Sequence, residues 1–194
     1  MERPLFSRRE GFIQTIETEN LMIRNFAAED GPALLKMIVQ YRTSPYAKYD
    51  NPWPADPEQI KGVAKWFAEG DAYLAVCLRE TGVFIGFVCL NPEEKGAGAV
   101  FNIGYIFDSD YHGKGYVTEA CRATLQLAFD KLRAEAVVTR TAEANEASCR
   151  LLERLGFRVI RLRKESLQST PEGKPIEFMA REYSITREEW KQIV

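Results

Sequence analysis

The chain has a single histidine, His112, among its 194 residues. Its four cysteines, Cys77, Cys89, Cys121 and Cys149, form no CxxC pair. A structural or catalytic zinc site draws its ligands from closely spaced Cys and His, so no metal site of that type is expected. Each cysteine sits in an apolar or helical context and reads as a small, reduced core residue, which points to the cytoplasm. No apolar run approaches the ~20 residues needed to span a bilayer, so no membrane partner is expected. The opening "MERPLFSRREGFIQ" lacks the apolar stretch of a signal peptide. Residues 1–14 therefore read as a leader ahead of one domain over 15–194. The net charge of −2 gives no basic footprint for nucleic acid. Internal repeats, low-complexity segments and dividing linkers are also missing.

Periodicity supplies an order of elements. "NLMIRNF" (20–26) alternates as a half-buried strand. "AAEDGPALLKMIVQY" follows at helical spacing, with Leu34, Leu35, Ile38 and Val39 on one face. Residues 55–70 make a second helix, with Pro57 in its first turn and Ile60, Val63, Ala64 and Phe67 as its apolar face. Residues 72–90 read as a hairpin around "RETG", and 99–107 as a further strand. A helix runs from the glycine pair to about Leu132, with Val117, Ala120, Cys121, Leu125, Ala128, Phe129 and Leu132 facing the core and Glu119, Arg122, Gln126 and Asp130 facing out. After a strand at 136–142 comes a helix at 145–157, with Asn145 as N-cap and Gly156 as its stop. Two strands around "STPEGKP" close the chain. The class is α/β with a mixed sheet, and the helical crossover at 116–132 requires one parallel pair.

The stretch "SDYHGKGYVTEA" (109–120) carries the chemistry. A helix leaves its first backbone N–H groups without intrahelical partners, and its aligned peptides give about half a positive charge there. Gly113 and Gly115 remove side chains just before that turn, so a pyrophosphate can approach the main chain. GxGxxG is excluded because Thr118 stands where its third glycine belongs, and GxxxxGK[ST] is absent. The other reading of the pair is a strand-to-helix turn that needs positive φ twice.

The run "NIGYIFDSDYHGKGYVTEA", followed by "ANEASCRLLERLGFR", resembles the Gcn5-related N-acetyltransferase (GNAT) superfamily. Within it the chain is similar to the ribosomal-protein N-terminal acetyltransferase group, as are "TENLMIRNFAAEDGPALL" and "YSITREEW". The resemblance implies a single domain with a mostly antiparallel sheet flanked by helices and a V-shaped splay between two central parallel strands, 99–107 and 136–142. It implies acetyl-CoA as cosubstrate. The six residues Asp110–Gly115 match the family's pyrophosphate motif at both glycines, and Asp110 replaces the leading Arg or Gln. The implied cofactor contacts are the main chain of Tyr105, Ile106 and Phe107, the seat formed by His112, Gly113, Lys114, Gly115, Tyr116 and Val117, and Asn145 and Arg150 on the later helix. Ser148 is the implied proton donor to the departing thiolate.

The chain departs from its relatives at the base. Asn102 replaces a Glu in the E-I-G-Y strand pattern, and Met179 replaces an Asp on the final strand. Glu177, two residues from Met179 and on the same strand face, is the replacement candidate. Asn102 remains as a residue able to orient a water. The segment "SPYAKYDNPWP" (44–54) either walls the acceptor site or packs. The expected activity is acetyl transfer from acetyl-CoA to a primary amine, a protein N-terminus or a small molecule, by direct attack in a ternary complex. A non-catalytic acyl-CoA-binding or sensory domain is the alternative, and a ligand-free structural domain a third. The expected assembly is a monomer or homodimer.

Overall fold

A computed structural model describes residues 15–93 and 99–193. The expected leader, 1–14, lies outside the described residues. The elements in chain order are β1 (Ile16–Glu17), β2 (Leu21–Asn25), α1 (Gly31–Arg42), α2 (Pro57–Glu69), β3 (Tyr73–Leu78), β4 (Phe84–Pro92), β5 (Val100–Phe107), α3 (Tyr116–Gln126), β6 (Ala136–Ala142), α4 (Glu146–Arg154), β7 (Arg158–Ser169), β8 (Pro175–Thr186) and α5 (Arg187–Trp190). The fold is mixed α/β: eight strands in the order β1-β2-β3-β4-β5-β6-β8-β7, with helices flanking the sheet. The β5–β6 pair is parallel, as the crossover through α3 requires. The pairs β1–β2, β2–β3, β3–β4, β6–β8 and β7–β8 are antiparallel.

The chain divides into two compact units. Among the described residues, the first comprises 15–40, 54–89 and 105–123. Its core is an aromatic cluster in which Phe67 of α2 stacks on Tyr73 at 3.8 Å and meets Phe26 and Phe87 edge-on. α2 starts where the sequence requires: the Asp56 side chain accepts from the N–H groups of Glu58 and Gln59, and Pro57 occupies the first turn. Arg24 and Asp30 form a two-pronged ion pair with both contacts at 2.8 Å, which fixes the turn into α1. Gly86 is held to hydrogen by its surroundings. A Cβ there would lie 2.7 Å from the Ile106 carbonyl oxygen and the Phe107 ring.

The second unit comprises, among the described residues, 41–53, 90–93, 99–104 and 124–193. Its strands β6 and β8 pair along their whole shared length, from Ala136↔Thr186 to Ala142↔Ala180. α4 begins with Asn145, whose side chain accepts the Ser148 N–H, and ends at Gly156 with φ of 91°. There the Gly156 N–H bonds the Glu153 carbonyl and the Phe157 N–H bonds the Leu152 carbonyl, the two bonds of a Schellman stop.

Three local expectations need correction. The helix expected to run to Leu132 changes pitch: after Gln126 it widens into a π turn over Leu127–Lys131, closed by the Leu132 N–H on the Leu127 carbonyl. The Arg187 guanidinium donates to the Phe129 and Ala134 carbonyls at 2.8 and 2.6 Å, satisfying acceptors at and just beyond the helix end. Val39 is 46% exposed, and Met37 takes the buried place expected of it. The short elements β1 and α5 carry too few residues for a periodic signal.

The Schellman stop gives a stability test. Gly156→Ala places a Cβ at positive φ and within 2.1 Å of the Ile193 side chain. The backbone strain alone costs about 1–3 kcal/mol. Thermal unfolding should shift down by roughly 2–4 °C per kcal/mol; an unchanged midpoint would show that the stop carries no conformational constraint.

Candidate functional site

In the first unit, β5 delivers the chain to a turn over Ser109–Tyr111 and then to the glycine pair. Asp108 builds that turn. Its buried carboxylate accepts the Asp110 N–H at 2.9 Å and approaches Lys36 Nζ at 3.4 Å. Burial alone would raise its pKa. The Asp110 N–H, the Gln40 amide and Lys36 outweigh burial and hold it below the ordinary carboxylate value. The Ser109 N–H is held by the Gln40 side chain at 2.8 Å.

His112 closes the same turn. Its Nε2 lies 3.1 Å from the Phe107 carbonyl oxygen. A carbonyl only accepts, so that nitrogen carries the proton. Gly113 and Gly115 follow with φ of 74° and 85°, the left-handed region that side chains disfavour. No described protein atom lies within 4 Å of the Cβ that either would carry. The positions are glycine for conformation, and the space beside them is open.

The first main-chain bond of α3 runs from the Glu119 N–H to the Gly115 carbonyl at 3.0 Å. The N–H groups of Tyr116, Val117 and Thr118 therefore have no intrahelical acceptor and point toward the glycine turn. Lys114 sits over the Tyr111 ring at 5.1 Å. Beside the turn, a cavity of ≈ 370 Å³ is lined by Glu19, Asn20, Leu78, Arg79, Glu80, Thr81 and Tyr116. Main-chain donors, a positive helix end, open space at two glycines and nearby cations together fit a pyrophosphate.

Glu119 was expected to face solvent. Instead its carboxylate accepts the Asn20 N–H at 2.8 Å and the Asn20 side-chain amide at 3.0 Å. It thus ties the first turn of α3 to the start of β2. Arg79 and the Asn20–Glu119 clamp lay outside the sequence reading, because residues ~100 positions apart in the chain leave no local pattern.

In the second unit, Asn102 is half-buried on β5 opposite Val138. The registered β5–β6 pairs are Val100↔Ala136, Phe101↔Val137 and Asn102↔Val138, and both strands continue past them. Ser148 is half-buried in the first turn of α4, beneath the Asn145 cap at 3.2 Å. Arg150 pairs with Glu146 at 2.8 Å on the exposed helical face. Glu177 faces Lys164 Nζ at 2.6 Å, with more than half of its side chain exposed. The segment 44–54 is bolted to the last two strands. Gln168 donates to the Ala47 and Asp50 carbonyls at 2.8 and 2.7 Å, and Tyr49 packs on Phe178.

Comparison with known proteins agrees with this arrangement. Residues 20–158 match the acetyltransferase (GNAT) domain, and the chain belongs to that family. An uncharacterized Bacillus subtilis protein, YkkB, is 31% identical over 105 residues, a match covering 54% of this chain and 56% of that protein. An uncharacterized Bacillus subtilis N-acetyltransferase, YnaD, is 26% identical over 177 residues, covering 90% of this chain and 98% of YnaD. In fold, the chain is similar to the ribosomal-protein-S5-alanine acetyltransferase of Vibrio fischeri, with a TM-score of 0.73 at 19% identity over 92% of this chain and 99% of that one. Membership of the family makes acyl transfer the class of chemistry.

The clamp at Glu119 has a pH signature. Burial tends to raise its pKa, but the hydrogen bonds from Thr18 and Asn20, with Arg79 nearby, lower it below the ordinary value of 4.5. A depressed folded pKa contributes stability above the unfolded value, and that contribution is lost as pH falls through the folded value. Glu119→Gln should melt below wild type at pH 7, with the gap closing as pH drops below about 4. An equal gap at pH 3 and pH 7 would remove charge from the interaction.

Proposed function

We propose that this protein is a cytoplasmic N-acetyltransferase that moves an acetyl group from acetyl-CoA to a primary amine within a ternary complex. The observation that carries this reading is the glycine pair at the start of α3: two left-handed residues with open space beside them, ahead of three main-chain N–H groups lacking intrahelical acceptors. Acetyl-CoA, when bound, supplies an acyl group activated as a thioester. Everything else falls to the chain's own residues.

The amides of α3 and the glycine turn hold the pyrophosphate, with His112, Lys114, Tyr116 and Val117 shaping the seat. Arg79, at the cavity beside Tyr116, is placed for a further phosphate of the same cofactor. Main chain at Tyr105–Phe107 lies along the pantetheine arm. As the amine nitrogen forms its bond to the acyl carbon and the C–S bond breaks, Ser148 donates a proton to the departing sulfur and is reprotonated by the proton that the nitrogen gives up, passed directly or through water. Asn145 fixes the helix turn that carries it. Arg150 is a weaker cofactor contact, because Glu146 already holds it.

The amine must lose a proton before it attacks. Glu177 is the carboxylate the sequence offers, yet Lys164 occupies it. Asn102 can orient a water but not accept a proton strongly. The reading therefore favours amines that are neutral on their own account. An α-amine of pKa roughly 8 is about a tenth neutral at pH 7, against about 0.04% for a lysine amine near 10.4.

Two experiments test the reading. Gly115→Val forces a β-branched residue to positive φ and puts side-chain atoms where the pyrophosphate is placed. By titration calorimetry it should lose at least tenfold in acetyl-CoA affinity while keeping its fold; unchanged affinity in a folded variant would remove the seat. Ser148→Ala should lower kcat about 10²-fold on a good acceptor, with acetyl-CoA affinity little changed. Wild-type turnover in that variant would take Ser148 out of the chemistry.

A further inference from the structure

A second charged site lies within the second unit. An open groove of ≈ 350 Å³ is lined by Arg140, Arg163, Lys164, Glu165, Ser166 and Leu167. At its base Glu165 is buried, with only 8% of its side chain exposed. One carboxylate oxygen, Oε1, takes Arg140 Nη1 at 3.3 Å and the Arg163 guanidinium. The other, Oε2, is buried and has no hydrogen-bond partner among the described residues. Buried carboxylate oxygens in folded proteins almost always have a donor, and this one belongs to a side chain that lines a groove.

The placement ties the groove to the reaction. Arg140 stands on β6 two residues beyond the last registered β5–β6 pair, Asn102↔Val138. That is where β6 no longer has a registered partner on its β5 side. Glu165 pairs across to Phe178, on which Tyr49 of the 44–54 segment packs. Glu165 thus shares a sheet face with Phe178, beneath the segment that the sequence read either as a wall of the acceptor site or as packing.

We infer that this groove binds the acceptor, and that the acceptor is an amine carrying a carboxylate close by: an acidic amino acid, or a peptide with an acidic residue at its N-terminus. The inference rests on the acyl-transfer reading above for the word acceptor, but not for the binding itself. The acceptor's amine donates an N–H to Glu165 Oε2, which has no other partner among the described residues. Two cations, Arg140 and Arg163, meet in the groove on the one carboxylate of Glu165. Glu182 and Glu177, outside the lining, already hold Arg163 and Lys164. Arg140 spends one donor on Glu165 and has further guanidinium N–H groups for the ligand's carboxylate. A polyamine would bring only positive charge to this lining, so the groove selects against it. Glu165 is thus a binding residue that sets specificity.

Calorimetry on the full chain, with and without coenzyme A, tests this using four probes: Glu-Ala, Gln-Ala, N-acetyl-Glu-Ala and spermidine. Glu-Ala should bind at least tenfold more tightly than Gln-Ala, while N-acetyl-Glu-Ala and spermidine should not bind measurably. Glu165→Gln should weaken Glu-Ala at least tenfold, and Arg140→Met should erase the difference between Glu-Ala and Gln-Ala. The four-probe comparison on wild type needs no variant, so a Glu165→Gln chain that fails to fold leaves the test intact. Equal binding of the probes, binding of none, or wild-type affinity in folded Glu165→Gln would overturn the inference and leave Oε2 to water. Thiol release from acetyl-CoA, run in parallel, separates the two readings. Amine turnover without the Glu-Ala preference sinks only the groove, and a chain that binds Glu-Ala but not acetyl-CoA sinks only the transferase.

Discussion

An α-helix cannot satisfy its own first amides, and the candidate cofactor site follows from that deficit at α3. The Glu119 N–H reaches back to the Gly115 carbonyl, so the three N–H groups before it point out of the helix. Whatever lies ahead of them must be small and must turn sharply. Gly113 and Gly115 meet both demands, since each sits at positive φ with open space where a side chain would project. The neighbouring contacts serve this turn. Asp108 and Gln40 fix its entry, His112 locks its ring to the Phe107 carbonyl, and Glu119 pins the first turn of the helix to Asn20.

Charge is handled differently in the two units. In the first, carboxylates are used up as structural acceptors. Asp30 serves Arg24, Asp108 serves a turn, and Glu119 serves a strand start. In the second, cations and carboxylates alternate along β6, β7 and β8 as Arg140, Arg163, Glu165 and Glu182. There the pairing is incomplete, because Glu165 keeps one oxygen without a donor among the described residues. A saturated network rigidifies a fold, whereas an unsaturated one at a groove invites a ligand.

Elements with strong periodicity were legible in the sequence. α2 was marked at its start by Pro57, and α4 at both ends by Asn145 and Gly156, residues whose chemistry is local. The glycine pair was legible for the same reason, since a conformational demand and a motif coincide within six residues. The π turn after Gln126 was not legible. Its nearest side-chain partner, Arg187, reaches the Phe129 and Ala134 carbonyls from more than fifty residues away in the chain. Glu119 looked like a solvated first-turn acid because Asn20 is remote in the chain. Glu165 carried no signal at all, as one charge among many on an edge hairpin, until the strands placed Arg140 and Arg163 on the same carboxylate oxygen.

The central claim is that main-chain amides at the mouth of α3 receive a pyrophosphate. It is tested most directly by amide chemical shifts of the labelled protein, titrated separately with coenzyme A, ADP and pantetheine. The account predicts that the resonances of Gly115, Tyr116 and Val117 move with coenzyme A and with ADP, which share a pyrophosphate, and stay in place with pantetheine, which has none. Binding of coenzyme A with those three amides unmoved would contradict it.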